Sequence, residues 1–211
     1  MNDDFSHFDG IKEAIDNNNR SLNVEYSYLY LLYIGFCNHL YYYMDAYKLL
    51  FQNQNYYVCR SIERSVIDLY LKARVLAGCK DPEKVAESII EEGKIRKDAI
   101  FNEEKGYVTD TGLCSFFDKI DKSYQVIDRK TKRKIGQLER RYRESSDYTH
   151  PNIPCVWSYT TDDLGDWAGL IEDDKIQFNE LVNNLMVVLG MICKILHETQ
   201  QKKESSNEQR K

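Results

Sequence analysis

Residues 26–44 read YSYLYLLYIGFCNHLYYYM, a run without one formal charge. Its middle, Leu29 to Phe36, is apolar on every side of a helix. The run is long enough to cross a bilayer. Seven of its positions are tyrosines, whose hydroxyls seek an interface or a hydrogen-bond partner, and Ser27, Asn38 and His39 interrupt it. The segment therefore predicts a central core helix, or one that also serves a subunit contact, and no membrane partner.

Outward from this run the chain keeps helical periods. Val58, Ile62, Val66, Leu69, Ala73 and Leu76 recur at three and four and end at Gly78. Asp81 can cap a following helix with Pro82 in its first turn, and Val85, Ile89, Ile90 and Ile95 give that helix a stripe over residues 82–101. After a loop around Gly106 to Gly112, Leu113, Phe116, Phe117 and Ile120 suggest a short helix, and Val126 to Asp147 a longer one. The longer helix breaks at His150-Pro151-Asn152-Ile153-Pro154, and residues 155–173 read as irregular. Ile176, Phe178, Leu181, Leu185, Val188, Leu189, Ile192, Ile195 and Leu196 predict a closing helix, whose Asn183 and Asn184 argue against a membrane span. No strand alternation or repeat occurs. The expected fold is an all-α, single-domain bundle of five to seven helices over residues 9–198, with a mobile N-terminus (1–8) and a disordered polar tail (199–211).

Composition supports that reading. The 211 residues are 42% hydrophobic and 30% charged, enough for a real core, and 10 glycines with 3 prolines punctuate the chain sparsely. Six scattered cysteines without a CxxC pair, and no cationic leader before an apolar run, predict a reduced, cytoplasmic protein. No glycine loop precedes a Lys-Ser/Thr pair or forms a dinucleotide fingerprint, so no cofactor is expected. His7, His39, His150 and His197 are too dispersed for a metal site. No serine or cysteine hydrolase signature occurs.

Charge is the strongest local feature. Arg129, Lys130, Lys132, Arg133, Lys134, Arg140, Arg141 and Arg143 face one acid, Glu139, within a chain of net charge −5. In such a stretch Arg129, Lys132, Arg133, Arg140 and Arg141 can neutralise RNA phosphates without reading sequence. A solvated helix face is the alternative.

The end of that stretch holds a possible reaction centre. Arg143 and His150 are seven apart, which on a continuous helix puts them on one face about 10 Å apart along the axis. An arginine can hold phosphate oxygens, and a histidine can move the proton of a 2′-hydroxyl or of a leaving 5′-oxygen. Tyr142, Ser146 and His150 step by four along that face, so Ser146 can orient the imidazole and Asp147 can serve as its acidic partner. Glu144 can pair with Arg140, Arg141 or His150. In the competing reading the same residues merely cap and pair the end of a helix.

Arg143, six intervening residues and His150 resemble the R-x(4–6)-H signature of HEPN (higher eukaryotes and prokaryotes nucleotide-binding) domains. Arg60-Ser61-Ile62-Glu63, taken with Tyr142, Ser146 and His150-Pro151-Asn152, is also similar to a group of bacterial helical proteins. The two likenesses cover roughly Tyr41 to Leu76 and Leu138 to Asn152. They imply an all-α metal-independent endoribonuclease of a toxin or phage-defence type of system. They also imply a homodimer in which two Arg/His pairs meet, with RNA as substrate and a cognate regulator as a further partner.

Arg60, Glu63, Arg64 and Asp68 lie at helical spacings and predict Arg60–Glu63 and Arg64–Asp68 pairs, a structural charge network that could also supply a second phosphate contact. Ten of the 16 tyrosines fall between Tyr26 and Tyr57, a density suited to helix packing or a subunit boundary. Two functions follow from these residues: an RNA-binding endoribonuclease, or a non-catalytic helical interaction or regulatory protein. A small-molecule enzyme ranks third.

Overall fold

The computed structural model describes residues 5–22, 26–102, 105–108, 126–127, 134–149 and 164–208. They form seven helices: α1 (Ser6–Ser21), α2 (Tyr28–Gln52), α3 (Tyr56–Gly78), α4 (Pro82–Glu92), α5 (Lys97–Phe101), α6 (Gln137–Thr149) and α7 (Leu164–Glu208). The only strands among them are two residues long: β1 (Ile95–Arg96) pairs antiparallel with β2 (Tyr107–Val108), and β3 (Val126–Ile127) with β4 (Lys134–Ile135). The protein is an all-α helical bundle.

The chain divides into two compact units. One comprises Met1–Tyr42, Lys72–Thr109 and Asn184–Lys211, and the other Tyr43–Leu71 and Asp110–Asn183. In the first unit, Phe8 and Ile15 of α1, Tyr33, Phe36 and Leu40 of α2, Val85 of α4, and Leu185, Leu189 and Ile192 of α7 are buried. Glu83 caps α2 from α4: its carboxylate accepts the Tyr28 N–H at 2.7 Å and the Leu29 N–H at 3.2 Å, two of the donors a helix start leaves orphaned. In the second unit, Met44, Tyr47 and Phe51 of α2, Ile62, Val66 and Ile67 of α3, and Phe178, Leu181 and Val182 of α7 are buried. Tyr47 stacks on Phe178 with centroids 3.6 Å apart and planes 2° from parallel.

Although its stretch Leu29 to Phe36 is apolar all round, α2 is buried on one side only. Leu29, Tyr33, Phe36, Cys37, Leu40, Met44, Tyr47 and Phe51 are inside, while Tyr42 (72% exposed) and Leu49 (62%) face out. Among the described residues, Asp173–Lys203 is the segment long and apolar enough to cross a membrane by length and composition, and its Phe178, Leu185, Ile192 and Leu196 are buried within the protein.

Four helices differ in their bounds from the sequence expectation. Helix α1 starts at Ser6, ahead of residue 9, because Phe5 and Phe8 are buried at 2% and 1% exposure. The helix expected over 82–101 stops at Glu92, where Gly93 takes a left-handed conformation (φ 64°) and its N–H returns to the carbonyls of Ile89 and Ser88. The start of that helix is as expected: Asp81 Oδ1 accepts the Lys84 N–H at 3.1 Å, and Pro82 opens the first turn. The single helix expected over 126–147 is replaced in its first part by β3 and β4, whose Val126, Ile127 and Ile135 are β-branched, and α6 begins after Gly136. The closing helix begins at Leu164, inside the stretch expected to be irregular, and continues through the expected tail to Glu208. The short helix expected around Leu113–Ile120 lies outside the described residues.

Candidate functional site: an arginine–carboxylate network on α3, α6 and α7

Helix α6 is polar almost throughout, and among its described side chains Glu139 and Ser145 are buried. It is joined to its neighbours in the second unit by charge. Arg141 pairs through Nη2 with Glu63 of α3 and donates from Nη1 to the Gln177 carbonyl of α7 at 2.9 Å. Glu63 is 3% exposed. Burial raises its pKa, and the nearby Arg141 and Arg60 pull it back down. Arg60 of α3 pairs with Asp174 of α7 at 2.6 Å, and burial likewise raises the Asp174 carboxyl against the lowering effect of Arg60.

A second group surrounds Tyr142. The Arg64 guanidinium of α3 lies 3.3 Å over the Tyr142 ring centroid, its Nε donates to Ser146 Oγ at 2.9 Å, and its Nη1 is 2.6 Å from Asp68 Oδ2. Ser146 Oγ itself donates to the Tyr142 carbonyl at 2.7 Å, one turn back. Arg143 donates from Nε at 3.1 Å and from Nη2 at 2.6 Å to the same oxygen of Glu139, Oε1. Arg140 and Glu144 pair at 2.8 Å on the exposed side.

The structure thus brings Tyr142, Ser146, Arg140, Arg141, Arg143, Arg60, Glu63, Arg64 and Asp68 into one unit. The expected Arg64–Asp68 pair is present, and Glu144 takes Arg140, one of its three expected partners. The expected Arg60–Glu63 strip is instead a network across three helices, because Asp174 and Arg141 reach these residues from α7 and α6. His150, Arg129, Lys132 and Arg133 lie outside the described residues, and of Asp147 only the helical backbone is described.

Sequence reasoning missed Asp174 and undervalued Glu139. For Glu139 the signal was present, four residues before Arg143. Among the described residues Arg60 pairs with Asp174, Arg64 with Asp68, Arg141 with Glu63 and Arg143 with Glu139. An incoming anion would have to compete with one of these acids, and their side-chain exposures separate them: Asp68 42%, Asp174 22%, Glu63 4% and Glu139 2%.

In the first unit, an open groove lined by Asn18, Cys193, Lys194, His197 and Gln201 brings Ser21 Oγ to 3.2 Å from His197 Nε2. Ser21 donates its proton to the Asn18 carbonyl at 2.6 Å, so it accepts from the imidazole and is not an activated nucleophile. Among the described residues no group of three or more His, Cys, Asp or Glu is placed to hold a metal ion. The chain matches no protein-family model, no curated protein and no solved structure, so the HEPN likeness rests on the residues quoted above.

Proposed function

We propose that this chain is an RNA-binding, HEPN-like protein that cleaves RNA without a metal ion, acting as a cytoplasmic homodimer. The observation that carries the reading is the unbroken course of α6 from Gln137 to Thr149, which keeps Arg143 in helical register as far as the residue before His150. Arg143 holds a phosphate, and His150 takes the proton of the ribose 2′-hydroxyl. The 2′-oxygen then bonds to phosphorus as the bond to the 5′-oxygen breaks, and the proton held on His150 passes to that leaving oxygen, giving a 2′,3′-cyclic phosphate and a 5′-hydroxyl end. Support for a phosphate-facing α6 comes also from Arg64, which joins α3 to the Tyr142–Ser146 turn where the two sequence likenesses meet.

One observation favours a second reading. Arg143 is already held by Glu139, and Arg140 by Glu144, as expected of a non-catalytic interaction or regulatory protein whose charges serve its own packing. The discriminating experiment is incubation of a mixed RNA pool, with chelator, with the wild type, Arg143→Ala and His150→Ala. Cleavage by the wild type alone, leaving cyclic phosphate ends, is expected. Three folded and equally inert proteins would overturn catalysis in favour of the second reading, and a monomer by light scattering would remove the homodimer.

A further inference from the structure

We infer that Arg64 of α3 is a second backbone-phosphate contact, beside Arg143, on the RNA-binding face proposed above; the inference rests on that reading. Three contacts fix the guanidinium without using its whole donor fork. The Tyr142 ring supports one face at 3.3 Å, Ser146 Oγ takes the Nε–H at 2.9 Å, and Asp68 Oδ2 lies 2.6 Å from Nη1. Nη1 is fully buried, whereas Nη2 is not among the fully buried polar atoms and has no partner among the described residues. A planar fork held flat on an aromatic ring has already lost the rotamer freedom that phosphate binding would otherwise cost.

The acid on Arg64 is easier to displace than those on Arg60, Arg141 and Arg143. Asp68 is 42% exposed against 22% for Asp174, whereas Glu63 and Glu139 are 4% and 2% exposed and cannot move into water without unpacking. A phosphate arriving at Nη2 competes with Asp68 for the guanidinium charge, and Asp68 turns into solvent at little cost. The position of Arg64 against Tyr142 and Ser146 puts this contact on the α6 segment that carries Arg143.

The test is binding of a fluorescent single-stranded RNA oligonucleotide across a salt series by the full chain and by Arg64→Gln, Arg64→Lys and Asp68→Asn. Arg64→Gln is expected to weaken binding and to make the slope of log K against log salt shallower by about 0.7, the value of one phosphate contact on a single strand. Arg64→Lys, which keeps charge but loses the stacked fork, is expected to bind more weakly than wild type. Asp68→Asn removes the competing charge at an exposed position and is expected to bind several-fold more tightly. An unchanged slope in folded Arg64→Gln, or no gain in Asp68→Asn, would overturn the Arg64 contact while leaving RNA binding intact. If Arg64→Gln fails to fold, Asp68→Asn decides alone. A wild type without salt-dependent RNA binding would overturn the parent reading together with this one.

Discussion

Arg143 and Glu139 are joined by two hydrogen bonds to one oxygen, Oε1, while the other oxygen, Oε2, is buried without a hydrogen-bond partner among the described residues. The carboxylate orients the guanidinium and also neutralises it. Glu139→Gln keeps the shape and removes the charge. It is expected to cost about 1–3 kcal/mol of stability through weaker hydrogen bonds to a charged group, and to tighten RNA binding because Arg143 is no longer neutralised. Urea unfolding and RNA titration of the same variant check both, and loss of stability with unchanged binding would leave Glu139 a packing residue.

Glu63 and Arg141 form the most deeply buried pair of the network, at 4% and 11% side-chain exposure. Removing one partner strands the other in a poorly solvated site, so Glu63→Ala is expected to destabilise by about 3–5 kcal/mol. The double replacement Glu63→Leu with Arg141→Met should recover much of that loss. Additive effects in the double-mutant cycle would show that the two do not act as a pair.

The thiols of Cys37 and Cys59 are pushed up to about 12, chiefly by burial, and that of Cys79 to about 11. At neutral to mildly alkaline pH almost no thiolate is present to react. Iodoacetamide followed by mass spectrometry is expected to leave Cys37 and Cys59 unmodified in the native protein and to label them after unfolding. Modification of Cys37 at the rate of a free thiol would contradict its 1% exposure.

Asp98 is held at about 2, against an ordinary 3.8, first by its hydrogen bonds to Arg96 and then by Lys84. Its folded-state value is depressed, so the unfolded chain takes up the proton first. The contribution is present above about pH 4 and is lost as pH falls towards about 2. Asp98→Asn should therefore differ most from wild type near neutrality and converge with it in acid. A gap in urea midpoint that stays constant through this range would exclude the linkage.

What was legible in the sequence depended on how local the cause was. The period of Val58, Ile62, Val66 and Leu69 and the Asp81-Pro82 start give α3 and α4 because neighbours along the chain decide them. The Arg64–Asp68 pair is readable for the same reason, one helical turn apart. Arg60–Asp174 is not, since nothing in either neighbourhood announces a partner on another helix. Two-residue strands such as β3 and β4 are too short to carry a period.

That the buried residues described on α6 are Glu139 and Ser145, with Glu139 and Arg141 in ion pairs, makes the attachment of the helix sensitive to the electrolyte. Guanidinium chloride brings a rival for the carboxylates of Glu63 and Glu139 in the very chemical form of the arginines they hold; urea brings none. At matched global stability, the amides of α6 should exchange with deuterium sooner in guanidinium chloride than in urea, while those of α3 exchange alike in both. Detachment of one ionically fastened helix would then be a switchable event, governed by the ions in solution before the rest of the fold responds.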